Sequence, residues 1–367
     1  MKPQTTVGDL FRIYRQDMTE TPGFMSDPKK ARAFYDICRC RHDEEDSHLE
    51  LCPECQTPIR RYHSCGNSAC PCCGAADREA WIEKEAFYTL NIPYYHLVFT
   101  VPHELNPLFL LRPAFMYNLL FRAVHETLDE LARDPKHLGI QPGYIEFLHT
   151  FSSTLELHPH IHVLMAGGGI DSRGRWKGFS RKNLFSMKVI KKLYKNKFLS
   201  LLKDFDSSCL EDKSQLYTLR SKGYEKEWVV YQKEKLESPK SVIEYFARYV
   251  NRTAISSSRI VQFKDGRVTF RYKGKDGKMN KVMTLELEEF VRRFMMHVLP
   301  KNFMKIRRYG FMSNAWKTER FEELRKMTNT PEPDQPRTKK EVISQLMERV
   351  PTTCPNCGCE IHFNHLE

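Results

Sequence analysis

No stretch of this sequence stays apolar for the ~18–20 residues that crossing a bilayer takes. Its opening, MKPQTTVGDLFRIYRQDM, also has no hydrophobic segment of the secretory kind. Both absences lead to the expectation of a cytoplasmic protein with no membrane partner. Acid is in short supply too: 46 Asp plus Glu face 58 Lys plus Arg, a net charge of +12 and a pI of about 9.1. That balance disfavours an acidic-surface enzyme and suggests a polyanionic partner. At 367 residues there is room for two or three domains and at least one sizeable core.

Cysteine, by contrast, is plentiful: 12 residues, eight between 38 and 73 and three between 354 and 359, with Cys209 alone. Disulfides are rare in a reducing compartment, so the clustering reads as metal binding. Cys52-Pro53-Glu54-Cys55 and Cys70-Pro71-Cys72-Cys73 are two CPxC knuckles with 14 residues between them. Thiolates of Cys52, Cys55, Cys70 and Cys73 would close a tetrahedral structural zinc site, Cys72 being only its neighbour. Cys38, Cys40, His42, His48, His63 and Cys65 remain for a second zinc. Several combinations satisfy it, and Cys38, His48, His63 and Cys65 is the expected set. The tail offers Cys354, Cys357 and Cys359 with His362 or His365, either a third zinc set or a half-ribbon that binds nothing. One to three structural Zn²⁺ ions follow.

Between these clusters lies His158-Pro159-His160-Ile161-His162, followed by VLMA and the triplet Gly167-Gly168-Gly169. Side chains two apart on a strand share a face, so His160 and His162 form half of a metal site while Ile161 and Val163 turn inward. The order before them is a strand (94–101), a long helix opened by Pro113 (113–132) and a strand (144–151). Strand, helix, then a strand pair begins a split βαβ, ferredoxin-like antiparallel sheet, so the fold class is α+β with small zinc-ribbon-like domains. A hairpin turning near Ser153–Glu156 would set His149 opposite the paired histidines, with His96 and His125 left as structural.

Further on, Lys188, Lys191, Lys192 and Lys195 interleave with Tyr194, which suits single-stranded nucleic acid as well as it suits a solvated helix face. Ser238-Pro239 starts a helix whose Tyr245 and Tyr249, at i and i+4, emerge on one side together. Beside a histidine–metal site they are candidate nucleophiles. Arg60, Arg61, Arg248 and Arg252 complete the expected DNA contacts. Asp265-Gly266 and Asp276-Gly277 mark hairpin turns. The expected division is a helical arm (1–35), a zinc-binding domain (36–80), a catalytic domain (81–300), an extension and linker (301–340) and a Cys/His tail (341–367).

Taken in order, YHSCGNSACPCC, YYHLVFTVPHELN, HPHIH with VLMAGGG, YFARYVNRTAIS and FVRRFMMHVLPKNFMKIRRYGF resemble the two-tyrosine rolling-circle transposases of bacterial insertion sequences, members of the HUH endonuclease superfamily. The likeness runs from about residue 7 to 316. It implies that His160 and His162 hold Mg²⁺ or Mn²⁺, that His149 is the third ligand by analogy with plasmid relaxases, and that Tyr245 and Tyr249 attack DNA. It further implies 5′-phosphotyrosine chemistry on single-stranded transposon ends and target, host replication as an indirect partner, and a nucleoid-associated location. The family's histidine before the second CPxC is Ala69 here, and the cysteine-rich tail is less uniform among relatives. A replication initiator or relaxase, a non-catalytic zinc-finger DNA reader and an RNA-binding zinc protein are the competing readings.

Overall fold

Runs of unbroken apolar residues build the centre of the molecule. The computed structural model describes residues 5–361 except 43, 45, 211, 234, 251, 275–276 and 349–351. Strands β1 (Tyr94–Thr100), β2 (Gly143–Phe151), β3 (Leu157–Ala166), β4 (Val230–Gln232) and β5 (Ile306–Gly310) form one sheet in the order β5-β2-β3-β1-β4, with every pair antiparallel. Because β1 and β2 each run against the β3 between them, they run parallel to each other and need a crossover. The fold is mixed α+β, and its centre is a split βαβ.

The framing helices are α1 (Val7–Asp17), α2 (Pro28–Arg39), α3 (Ala75–Phe87), α4 (Pro113–Arg133), α5 (Met187–Leu201), α6 (Pro239–Tyr249), α7 (Leu287–Met295), α8 (Asn314–Met327) and α9 (Lys339–Glu348). Alternation divides the sheet's residues. Leu97, Phe99, Ile161 and Val163 face α4 and α5, where Leu120, Val124, Ile190 and Phe198 pack on them. Tyr94, Phe147 and Leu164 face the other way, onto Val242 and Phe246 of α6, Phe321 of α8 and Trp81 of α3. The crossover of the split βαβ is α4, and the histidines share the α6 face.

A second core joins the expected helical arm to the end of the expected catalytic region. Val7, Leu10 and Phe11 of α1 are fully buried against Phe270 and Phe290, with the Phe11 and Phe294 rings 5.0 Å apart. The apolar stripe expected to form an arm is thus packed inside, and residues 7–37 share a core with 254–298. The meander Ile260–Lys264, Arg267–Tyr272 and Lys281–Glu286 supplies the other wall. Its first turn places Asp265 and Gly266 at φ 51 and 72, as an Asp-Gly hairpin requires.

Residue 300 is not a break either. β5, from the expected extension, is the sheet's edge strand on β2, and α8 covers the sheet beside α6. Residues 330–338 have no regular secondary structure, and α9 follows. Among the described residues, no helix is long and apolar enough to cross a membrane.

Candidate active site and metal centres

The register brings three histidines together. His149 on β2 lies directly opposite His160 on β3, and His162 is two residues further along the same face. One ring nitrogen of each lies within 4.8 Å of the other two. Backbone carbonyls fix two of the tautomers. His160 Nδ1–H donates to the His158 carbonyl at 2.7 Å, and His149 Nε2–H donates to the Tyr249 carbonyl at 3.0 Å. Nε2 of His160 and Nδ1 of His149 therefore keep their lone pairs. His96 Nε2 lies 2.9 Å from His162 Nδ1, so a proton on that Nδ1 leaves the lone pair of His162 Nε2 free for a cation.

Burial is the main force holding these rings neutral. It pushes His149 down to about 4 and His96 to about 3. His160 and His162 fall well below the ordinary range, again through burial first and then through their histidine neighbours. Neutral imidazoles with oriented lone pairs are what a cation needs, so the three residues fit the divalent ion that the sequence resemblance implies.

The tyrosine helix docks end-on to this cluster. Ser238 caps α6, its hydroxyl accepting from the Ser241 amide at 3.2 Å, and Pro239 fills the first turn. With Val242, Phe246 and Val250 buried on the sheet, the i and i+4 positions carry the phenols toward the histidines. The Tyr249 ring lies 4.2 Å from that of His162 and 4.6 Å from Tyr245. The two phenols differ sharply. Tyr249 is half-buried, and its oxygen accepts from Lys233 Nζ at 3.3 Å. Tyr245 is 3 % exposed, and its hydroxyl has no hydrogen-bond partner among the described residues. Burial pushes the Tyr245 phenol well above its ordinary range, so it stays protonated.

His96 and Lys233 were not among the expected site residues. His96 had a signal: it alternates with Tyr94 and Val98, which places it on the histidine face of β1. Lys233, in the segment between β4 and α6, had none.

The cysteines pair differently from expectation. Cys70 and Cys73 join Cys40 and Cys65, with Cys73 Sγ 3.5 Å from Cys40 and 3.6 Å from Cys65. Cys52 and Cys55 instead meet Cys354 and Cys357 of the tail. Cys38 is buried in the second core, where burial pushes its thiol up to about 11. His48 and His63 are exposed on the hairpin Ser47–Leu51/Pro58–Tyr62, bonded to each other at 2.8 Å and to Glu50 and Asp46. His362 lies outside the described residues.

The expected DNA contacts are also scattered. Tyr194 is fully buried between Phe99 and Trp228, rings 5.1 and 5.2 Å away, so it is core and cannot stack on a base. Lys188 and Lys192 are exposed, Lys191 pairs with Glu227, and Lys195 donates to the Lys226 carbonyl. All sit on α5, across the sheet from the histidines. Arg61 pairs with Glu50 and Arg60 donates to Ser47. The side chain of Arg248 lies outside the described residues. Arg252 is exposed beside the cluster and borders two clefts, whose walls also carry Lys29, Lys305 and Arg78.

Comparison with known proteins gives this geometry its context. The family model Y2_Tnp, "Putative transposase", matches residues 143–320, and Zn_Tnp_IS91, "Transposase zinc-binding domain", matches 10–101. The chain is similar to "Putative transposase y4qJ" of Sinorhizobium fredii, 34% identical over 96% of this chain and 92% of that one. The chain belongs to the IS91 family of transposases. The transposase is also 27% identical to the transposase for insertion sequence element IS801 of Pseudomonas savastanoi pv. phaseolicola, over 69% of this chain and 62% of that one. A solved conjugative relaxase, TRWC in complex with ORIT DNA, aligns over 65% of this transposase and 71% of its own chain, at 12% identity and a TM-score of 0.24. Membership of the IS91 family makes this transposase a DNA-processing enzyme, with Zn²⁺ in its cysteine-rich domain.

Proposed function

We propose that this transposase cuts and rejoins single-stranded DNA at element ends and target, in rolling-circle fashion, with Tyr249 as the first nucleophile. The observation that carries the reading is one juxtaposition: a half-buried phenol 4.2 Å from His162, with Lys233 on its oxygen. His149, His160 and His162 would hold Mg²⁺ or Mn²⁺, which when bound neutralises phosphate charge and polarises phosphorus.

The chain's own groups do the rest. Tyr249 attacks phosphorus, loses its phenolic proton and becomes linked to the 5′-phosphate. The DNA 3′-oxygen leaves as a hydroxyl. The phosphodiester energy is kept in the tyrosyl ester, so rejoining needs no nucleotide cofactor. Lys233 meets both the nucleophile's oxygen and the phosphate it approaches. Arg252 and the cations bordering its clefts hold the strand by its backbone. Tyr245 serves the second cleavage, after movement of the α6 end uncovers its hydroxyl. The free 3′-hydroxyl then primes host replication in the nucleoid.

The test uses labelled single-stranded element-end DNA with Mn²⁺ or Mg²⁺, resolved on a denaturing protein gel. A metal-dependent protein–DNA band is expected from the wild type, lost in Tyr249→Phe and in His160→Ala. DNA binding without an adduct on either strand would overturn the reading and leave a non-catalytic zinc-bearing DNA reader.

A further inference from the structure

We infer that Cys52, Cys55, Cys354 and Cys357 form one composite tetrathiolate zinc site, a ribbon whose two halves come from opposite ends of the chain. The zinc-binding domain that relatives share ends at residue 101, so it contains only half of this site.

Distance comes first. Four sulfurs at ~2.3 Å from zinc define a tetrahedron with edges of roughly 3.8 Å. Cys55 Sγ lies 3.6 Å from Cys354 Sγ, and Cys52 Sγ lies 3.7 Å from Cys357 Sγ. A disulfide needs ~2.05 Å, so these are spacings of ligands rather than of bonded pairs.

The backbone repeats itself on the two sides. Cys52-Pro-Glu-Cys55-Gln56 and Cys354-Pro-Asn-Cys357-Gly358 each close the same turn. Gln56 N–H donates to the Cys52 carbonyl at 3.0 Å, and Gly358 N–H donates to the Cys354 carbonyl at 2.9 Å. Both closing residues are left-handed, at φ 56 and 74. Glycine takes that conformation freely and Gln does not, so its presence at 56 marks a turn the surroundings enforce. Each turn sits in a small hairpin, Ser47–Leu51/Pro58–Tyr62 on one side and Thr352–Thr353/Glu360–Ile361 on the other.

The surroundings suit thiolates. Asn356 Nδ2 lies 3.6 Å from Cys55 Sγ and donates to Thr57 Oγ1 at 2.9 Å. Thr57 Oγ1 is in turn 3.1 Å from Cys55 Sγ. Cys52 and Cys354 are buried with Ile361 and Ile59. Cys359, 3.3 Å from Cys52, stands beside the four as a fifth thiol.

Closing the site fastens a strap. Between residue 328 and the tail knuckle, Lys339 pairs with Asp77 of α3 at 2.6 Å, and Arg337 pairs with Glu83 of the same helix. α3 in turn sets Trp81 edge-to-face against Phe246 of the tyrosine helix, rings 5.2 Å apart. The composite zinc therefore anchors a segment that braces α3 behind α6.

Zinc per chain would be counted by native mass spectrometry on the full-length protein. Cys52→Ser/Cys55→Ser, Cys354→Ser/Cys357→Ser and the quadruple variant should each lose one ion, the same one. A quadruple variant that loses two, or a tail variant that loses none, overturns the inference. In case the variants fail to fold, a protease site placed at 330–336 in the otherwise unaltered chain supplies a second readout. After cleavage the tail fragment should stay with the body until a chelator removes zinc. Release of the fragment while the zinc count is unchanged overturns it.

Discussion

Tyr245→Phe should make this protein more stable. The ring packs against His96, Phe147 and Phe246, with centroids 4.7, 5.9 and 6.2 Å away, and phenylalanine keeps all of that. Only the hydroxyl goes, and it is buried with no partner among the described residues. An unpaired buried hydroxyl costs ~1–3 kcal/mol, so removing it should return about 1 kcal/mol. That is an upward shift of about 1 °C for a chain of this size. Tyr249→Phe gives the contrast, because it loses only the 3.3 Å bond to an exposed lysine, and such surface contacts are worth little. The assay is urea unfolding followed by tryptophan fluorescence, with zinc loading matched between variants because bound metal shifts apparent stability. Destabilisation by Tyr245→Phe of about 1 kcal/mol or more would refute the reasoning, since it would mean the hydroxyl is paired. A residue that lowers stability where it stands is the trade-off expected of a group kept for chemistry.

Three other outcomes follow from contacts described above. His96→Leu leaves His162 Nδ1 without its 2.9 Å partner, and should weaken Mn²⁺ binding about 10–100-fold by calorimetry. His96→Gln, which keeps an acceptor, should lose far less. His297 is buried, donates to the Leu155 carbonyl and is pushed down to about 4 by burial. Its unfolded value is near 6.5, so its contribution is complete above pH 6.5 and is lost as pH falls toward 4, a total on the order of 3 kcal/mol. His297→Gln should flatten the stability profile across that window, and an unchanged slope would count against it. Gly169→Ala would put a methyl 2.3 Å from the Gln141 carbonyl oxygen. Destabilisation should reach the upper end of the ~1–3 kcal/mol of overpacking, measured as a lower urea midpoint.

Local chemistry was legible in the sequence, and long-range partnership was not. Ser238-Pro239 announced the start of α6, and the alternation of His160, Ile161 and His162 announced which face of β3 would hold them. The same alternation applied to Tyr94 and Val98 places His96 on that face, so its role was readable from neighbours. Tyr194 looked like a base-stacking ring among lysines, yet Ile190, Tyr194 and Phe198 lie four apart, and that stripe is what the core took. A CPxC knuckle fixes its own two ligands and says nothing about the other two. Hence Cys52 and Cys55 found partners at the far end of the chain, while Cys70 and Cys73 took Cys40 and Cys65. β5 was hidden because Arg307 and Arg308 interrupt its apolar pattern, which an edge strand tolerates.

The distance in sequence between the two halves of the Cys52–Cys354 cluster sets a clock. Cys357 follows Cys52 by 305 residues, and at ~5–20 residues per second a ribosome needs roughly 15–60 s to make that span. Until then the first knuckle has half its ligands, while the sheet and the tyrosine helix are already synthesised. The strap behind α3 can be drawn tight only after Cys357 has been made, so the nascent transposase passes through a period with its histidine and tyrosine elements made and its brace still open.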